Sequence, residues 1–245
     1  ALRSDVEQMS HMSGHNLQVY AGMIASLDRS VGKIIEKLKD LNIYGKTMII
    51  FTSDNGGANY IELEDINKPF RGWKISFFEG GIRVPFIVSW PDEISPGLTS
   101  NSAVHHFDIF PTIVSATKTT TSNKKELDGV NLLPYIKKEN SDEPHETLFW
   151  RSGNHQSVLH KKWKYIVSKK ENKSWLFDTS IDPLEKNNLI ESHPKEAQKI
   201  EELLVQFNSE QKEPLFPSAF EAPIMIDKYD GQTYKEGDEY IYWSN

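Results

Sequence analysis

One run without alternation constrains this chain most: Thr47-Met48-Ile49-Ile50-Phe51-Thr52, which ends abruptly at Ser53-Asp54-Asn55-Gly56-Gly57. A strand with one wet face alternates polar and apolar residues, so an unbroken run predicts a strand covered on both faces. The glycine-containing stretch behind it reads as a turn or loop. Ahead of it, Tyr20, Met23, Ile24, Leu27, Val31, Ile34, Ile35, Leu38 and Leu41 recur every three or four residues. That spacing predicts one long amphipathic helix over 17–41, with Asn42 and Gly45 as its stop. A second strand is predicted at Val84-Pro85-Phe86-Ile87-Val88-Ser89-Trp90, Pro85 suiting its start, and a short helix at 108–116. Alternation of helix and strand predicts a layered α/β architecture.

Beyond a polar, Thr-rich connector over 117–125 the pattern changes. Residues 147–151, 156–160, 163–168 and 174–177 read as short strands of an antiparallel meander, with Trp150, Trp163 and Trp175 as core. Residues 194–207 follow as an amphipathic helix with Ala197, Ile200, Leu203, Leu204 and Phe207 on one side. Past Gln211 no period is visible, and an extended tail laid over the surface is expected. The expected division is an α/β part over 1–140, an antiparallel-sheet subdomain with a helix over 141–211, and a tail over 212–245.

Composition narrows the function classes. A net charge of −7 argues against nucleic acid as a partner, because that affinity rests on clustered Lys and Arg. No apolar run approaches the ~18 residues of a membrane span, so no membrane partner is expected either. The absence of cysteine removes disulfides, thiolate metal sites and cysteine nucleophiles. The chain opens on Ala1-Leu2-Arg3-Ser4, with no initiator Met, as the middle of a longer protein would.

Two short segments carry chemistry. Asp54 and Asn55 directly follow a strand, where open α/β sheets place their ligands. A carboxylate beside a carboxamide offers hard oxygens suited to Ca²⁺ or Mg²⁺ rather than zinc, although Asp-Asn-Gly is also a common surface turn. Downstream, Lys74 stands five residues ahead of Glu79-Gly80-Gly81. Its ammonium is a compact point charge suited to phosphate or sulfate oxygens, while most lysines are simply solvated. Among the eight histidines, His105 and His106 precede the 108–116 helix, and substrate contact, capping and core roles all stay open. Arg71, Trp73, Arg151 and His155 are expected in loops that rim a pocket, Trp73 offering an aromatic face to a sugar.

The order of these pieces carries a resemblance. Tyr20-Ala21-Gly22-Met23, Phe51-Thr52-Ser53-Asp54-Asn55-Gly56, then Lys74 with Phe78-Glu79-Gly80-Gly81-Ile82-Arg83-Val84-Pro85 come first. Asp108-Ile109-Phe110-Pro111-Thr112, Leu127-Asp128-Gly129-Val130, Trp163-Lys164, Phe177-Asp178 and Asp182-Pro183 follow. From about Tyr20 to Phe207 the chain resembles the C-terminal part of the formylglycine-dependent (type I) sulfatases, the arylsulfatase and N-acetylgalactosamine-sulfatase group in particular. The resemblance implies an alkaline-phosphatase-like sheet with helices on both faces, present here only as its C-terminal part. It also implies a small α+β C-terminal subdomain with a four-stranded antiparallel sheet. On it, Asp54 and Asn55 bind calcium, with Mg²⁺ as the alternative, and Lys74 binds the sulfate group of a sulfated sugar or aryl sulfate. Glu79 and Arg83 pair to hold the Gly-Gly turn.

The family's nucleophile, a formylglycine hydrate made within a Cys/Ser-x-Pro-Ser-Arg motif, has no counterpart here; the nearest stretch, Phe216-Pro217-Ser218-Ala219, lacks the arginine. The paired aspartates that complete the calcium site are absent as well, so the implied partner is an N-terminal part of the same sulfatase, carrying the formylglycine. The alternatives are a non-catalytic homologue and a phosphomonoester or phosphonate hydrolase of the same superfamily, although Asn55 stands where the latter would show an Asp-His pair. The resemblance implies a periplasmic or secreted protein, or a lysosomal one in a eukaryote; richness in Lys, Ile and Asn favours a bacterial source.

Overall fold

The computed structural model describes residues 1–245 except 121–125, Pro214, Pro217 and Asn245, so part of the expected connector over 117–125 lies outside the described residues. Its helices are α1 (Arg3–Gln8), α2 (His15–Asp40), α3 (Glu79–Ile82), α4 (Ile109–Ala116), α5 (Leu133–Ile136) and α6 (Pro194–Glu210). Its strands are β1 (Ile49–Thr52), β2 (Phe86–Ser89), β3 (Thr147–Ser152), β4 (His155–His160), β5 (Trp163–Ser168), β6 (Lys173–Asp178), β7 (Glu221–Met225) and β8 (Tyr240–Ser244). Contacts group them into two compact units, 1–34 with 51–86 and 147–245, and 35–50 with 87–146. The division at 140 and 211 stays a proposal about domains.

The long helix forms where its periodicity places it. Its Gly22 is buried because the backbone of Asp5 and Val6 in α1 passes about 3.1 Å from where a Cβ would stand. Arg29 secures the crossing with two bonds to Asp5, at 2.9 and 2.8 Å. Met23, Ile24, Leu27 and Ile34 nevertheless remain exposed. β1 and β2 pair in a two-stranded sheet, and Phe51 and Ile87 are exposed there too. The other residues of these two strands are half-buried among the described residues.

In the second unit Asp108, fully buried, organises the segment around α4. It accepts the backbone N–H groups of His105 (2.7 Å) and Val130 (2.9 Å), and His145 Nε2 lies 2.8 Å from its Oδ1. Thr112 Oγ1 accepts from the Leu132 N–H at 2.9 Å. These bonds explain why Asp108-Ile109-Phe110-Pro111-Thr112 and Leu127-Asp128-Gly129-Val130 occur together.

In the first unit β3 to β6 form the four-stranded antiparallel sheet in sequence order. Alternation sends successive residues to opposite faces. Val158, Tyr165 and Leu176, aligned across three strands, pack against Ala197, Ile200 and Leu204 of α6. Ile166, Trp175 and Phe177 point the other way and pack with Phe78, Ile226 and Ile241. The tail expected past Gln211 is thus corrected: β7 and β8 pair antiparallel, and Ile241 of β8 and Ile226, just after β7, close the second face of the sheet. No described helix is long and apolar enough to cross a membrane.

Ile200 is fully buried under this sheet, whereas Val205 on the same helix is exposed. Ile200→Ala is expected to lower the unfolding free energy by about 2–5 kcal/mol through its cavity. Val205→Ala should change it by less than about 0.5 kcal/mol, both read from urea denaturation.

Candidate active site

The loop after β1 and the segment leading to α3 are stitched together through backbone groups. Gly56 N–H donates to Gly81 O at 2.9 Å and Lys74 N–H to Gly57 O at 2.9 Å. Asn67 braces both: its Oδ1 accepts from Gly57 N–H at 2.7 Å, and its Nδ2 donates to the carbonyls of Gly57 (2.9 Å) and Gly72 (3.0 Å). A Cβ on Gly56 would overlap the carbonyl oxygen of Gly80, so this approach requires glycine. Asp54 and Asn55 are thereby carried on a loop bonded directly to the loop that carries Lys74. Ile75, next to Lys74, sits at φ 89, where a β-branched residue is a genuine outlier. Such strain persists only where neighbouring structure enforces it, and it clusters at functional positions.

Several polar atoms of this corner make few bonds among the described residues. Asp54 is exposed, and among the described residues its Oδ1 accepts only the Asn55 N–H, at 3.0 Å. Asn55 commits its Nδ2 to Gly56 O at 2.8 Å, which leaves Oδ1 as an acceptor. Among the described residues neither Asp54 nor Lys74 has an ion-pair partner, and no three acidic or histidine side chains are arranged around a metal. Calcium takes six to eight oxygens. The two hard donors of this chain fit such an ion as part of a larger set.

Glu79 opens α3 behind this corner. The expected contact with Arg83 is present at 3.3 Å, but the closer partner is Lys164, whose ammonium lies 2.6 Å from Glu79 Oε1 and 2.8 Å from Glu185 Oε1. Burial raises the Glu79 pKa, yet Lys164 and Arg83 outweigh it and hold the carboxyl below its ordinary value. Burial works against the Lys164 charge as well, and the two carboxylates overcome it. In the sequence Lys164 stands out only within Trp163-Lys164, and no local pattern marks Glu185 or Asn67; the signal for Lys164 is its place at an inward position of a strand.

The sulfatase family matches residues 3–119, and the family described as N-sulphoglucosamine sulphohydrolase, C-terminal, matches residues 72–213. The human N-acetylgalactosamine-6-sulfatase is 37% identical over 119 residues, covering 48% of this chain and 23% of that protein. An N-acetylgalactosamine-6-O-sulfatase of Bacteroides thetaiotaomicron is 28% identical over 206 residues, covering 74% and 40% respectively. The crystal structure of Ps i-CgsB in complex with k-i-k-neocarrahexaose superposes with a TM-score of 0.79 at 26% identity, covering 88% of this chain and 48% of that one. The chain spans less than half the length of each.

Of the other residues expected at a pocket rim, Arg71 and Trp73 stand in a loop beside a cleft, whereas Arg151 and His155 lie in strands β3 and β4. Arg71 and Trp73 border a cleft of about 470 Å³ with Lys68, Lys186, Asp227 and Glu239. The Arg71 guanidinium is engaged there, with Nε and Nη2 2.8 and 2.7 Å from Asp227, a further bond to Glu239 and the Phe78 ring beneath it. Trp73 is 5% exposed, so its ring is no open stacking face, and its Nε1 has no hydrogen-bond partner among the described residues. Arg151 ties β3 to the end of α6 through Asn208 Oδ1 (3.2 Å) and Lys212 O (3.0 Å). His105 takes the capping role: its Nδ1 accepts from Phe107 N–H, and its ring stacks on Phe107 at 3.9 Å. His106 packs edge-on against His105.

His155 is corrected most firmly. It is 2% exposed, its Nε2 accepts the Phe77 N–H at 3.1 Å, and its ring stacks on Phe77 at 4.8 Å. Burial pushes its pKa down to about 3. Between about pH 6.5 and 3 the unfolded chain therefore binds a proton that the folded chain refuses, so stability falls as pH falls through that window. His155→Gln, which keeps an acceptor for Phe77 but does not titrate, should flatten that decline in urea midpoints measured from pH 7 to 4.

Proposed function

The chain belongs to the sulfatase family, and we propose that it supplies the charge-neutralising side of a site that hydrolyses sulfate esters. Its fold is the C-terminal part of an alkaline-phosphatase-like α/β architecture with a four-stranded antiparallel unit. The observation that carries the proposal is the backbone stitch between the Asp54–Asn55 loop and the Lys74 loop, with Asp54 and Lys74 both free of ion pairs among the described residues. In this reading Lys74 places its ammonium on a non-bridging sulfate oxygen. Negative charge gathers on the leaving and non-bridging oxygens as the S–O bond breaks, and a fixed cation stabilises that build-up. Asp54 and Asn55 present two oxygens to calcium, or magnesium as the alternative. The bound ion supplies Lewis-acid polarisation of the sulfate. The glycine-only approach at Gly56 fixes these groups before substrate arrives, so little reorganisation is left for the reaction itself.

The nucleophile, a formylglycine, and the remaining calcium ligands are assigned to an N-terminal part of the same enzyme. The exposed Met23, Ile24, Leu27, Phe51 and Ile87 support this assignment, because further sheet and helix would cover them. A sulfated sugar is favoured over an aryl sulfate as substrate by the relative named for N-acetylgalactosamine-6-sulfate and by the neighbour crystallised with a neocarrahexaose. A periplasmic, secreted or lysosomal location belongs to the same proposal.

In the full-length protein Lys74→Ala is expected to lower kcat/KM for sulfate esters by about 10²–10³-fold. A substrate panel that shows phosphate-ester turnover and no sulfate-ester turnover would overturn the reading, and no turnover of either would favour a non-catalytic homologue. Chelation should lower the melting temperature and activity together, with calcium restoring both. Asp54→Ala should abolish the calcium-dependent rise in melting temperature seen by calorimetry.

A further inference from the structure

Lys164 is 0% exposed, as is Glu185. A buried ion pair contributes little to stability compared with apolar residues of the same volume, so three charged groups in one core site call for another role. Their contacts indicate it. Glu79 begins the Glu79–Ile82 turn, and Glu185 Oε2 accepts the backbone N–H of Glu79 at 2.6 Å. Glu185 itself is held at φ 55, a left-handed conformation uncommon for a residue with a side chain.

Two backbone links run from this turn to the candidate site. Gly80 N–H donates to Arg71 O at 2.6 Å, at the head of the segment that carries Lys74. Gly81 O accepts from Gly56 N–H at 2.9 Å, in the loop that carries Asp54 and Asn55. Both loops are therefore tied to the one turn that the buried charges hold. Arg83 also reaches Glu79, but it is half exposed and 3.3 Å away, a weaker hold than the sealed ammonium.

We propose that Lys164 and Glu185 are positioning residues for the sulfate-ester site: by fixing the Glu79-Gly80-Gly81 turn they set where Lys74, Asp54 and Asn55 stand. The inference rests on the reading of those three residues given above. Neither Lys164 nor Glu185 touches substrate in it. Misplacement of a binding group by about 1 Å from a remote change costs on the order of 10²-fold, which sets the scale expected here.

The test uses the full-length protein with Lys164→Met/Glu185→Gln and with Glu185→Gln alone, the single variant keeping an acceptor for the Glu79 N–H. Amide hydrogen exchange is read at Gly56, Lys74 and Gly80, with helix Pro194–Glu210 as the internal reference, and inorganic sulfate serves as the ligand probe. At least about tenfold faster exchange at the three amides, an unchanged reference helix and at least about tenfold weaker sulfate binding are expected. Values within about twofold of wild type at the amides, or faster exchange with unchanged sulfate affinity, would overturn the proposal. If the reference helix also loses protection in the double variant, that variant has unfolded and the single one decides by the same criteria. If the wild-type protein binds no sulfate, the functional reading fails first, and the exchange rates still report whether these two residues set the loops.

Discussion

Everything at the candidate site depends on two stretches of backbone meeting with nothing between them. Gly56 lies against Gly80 and Gly81, and any side chain at Gly56 would collide with a carbonyl oxygen. Backbone contact of this kind transmits position better than side-chain contact, since it has no rotamers to vary. It also explains why three glycines and one asparagine, Asn67, hold residues that would otherwise sit on independent loops.

The antiparallel sheet serves this corner more than it first suggests. One of its faces is sealed by α6 and the other by Phe78, Ile226 and Ile241. Phe78 immediately precedes Glu79, and its ring meets Trp175 at 5.4 Å and Phe177 at 6.1 Å, so the sheet's second core is also the floor under the Gly-Gly turn. Aromatic edges and faces in contact at such distances fix ring orientation as well as burying area. The Glu79 carboxylate then meets Lys164 from that same face.

Much of the architecture was legible because it is written in periodicity. The long helix, the four-strand meander and the helix after Pro194 all have apolar residues at regular intervals, and the structure places them within a few residues of expectation. The pair β7 and β8 was not legible, since Pro223 interrupts one strand and polar turns separate it from the other. The Asp54, Asn55 and Lys74 segments could be paired only through resemblance; spacing alone fits a surface turn and a solvated lysine. The strand positions of Arg151 and His155, the burial of Trp73 and the engagement of Arg71 were not legible for a different reason. Exposure of a polar or aromatic side chain depends on partners distant in sequence, such as Asp227 for Arg71 or Phe77 for His155, and no local pattern records them.

Arg71 is joined to Asp227 and Glu239, 156 and 168 residues further along the chain. Closing loops of that length is slow, and the contacts that reward it come only at the end. The segment leading to Lys74 therefore stays unclamped at its base until residues far along the chain have docked against it. Order at this corner is therefore completed only when the β7–β8 segment is in place, and losing Asp227 and Glu239 would release the clamp while leaving every residue of the loop it serves.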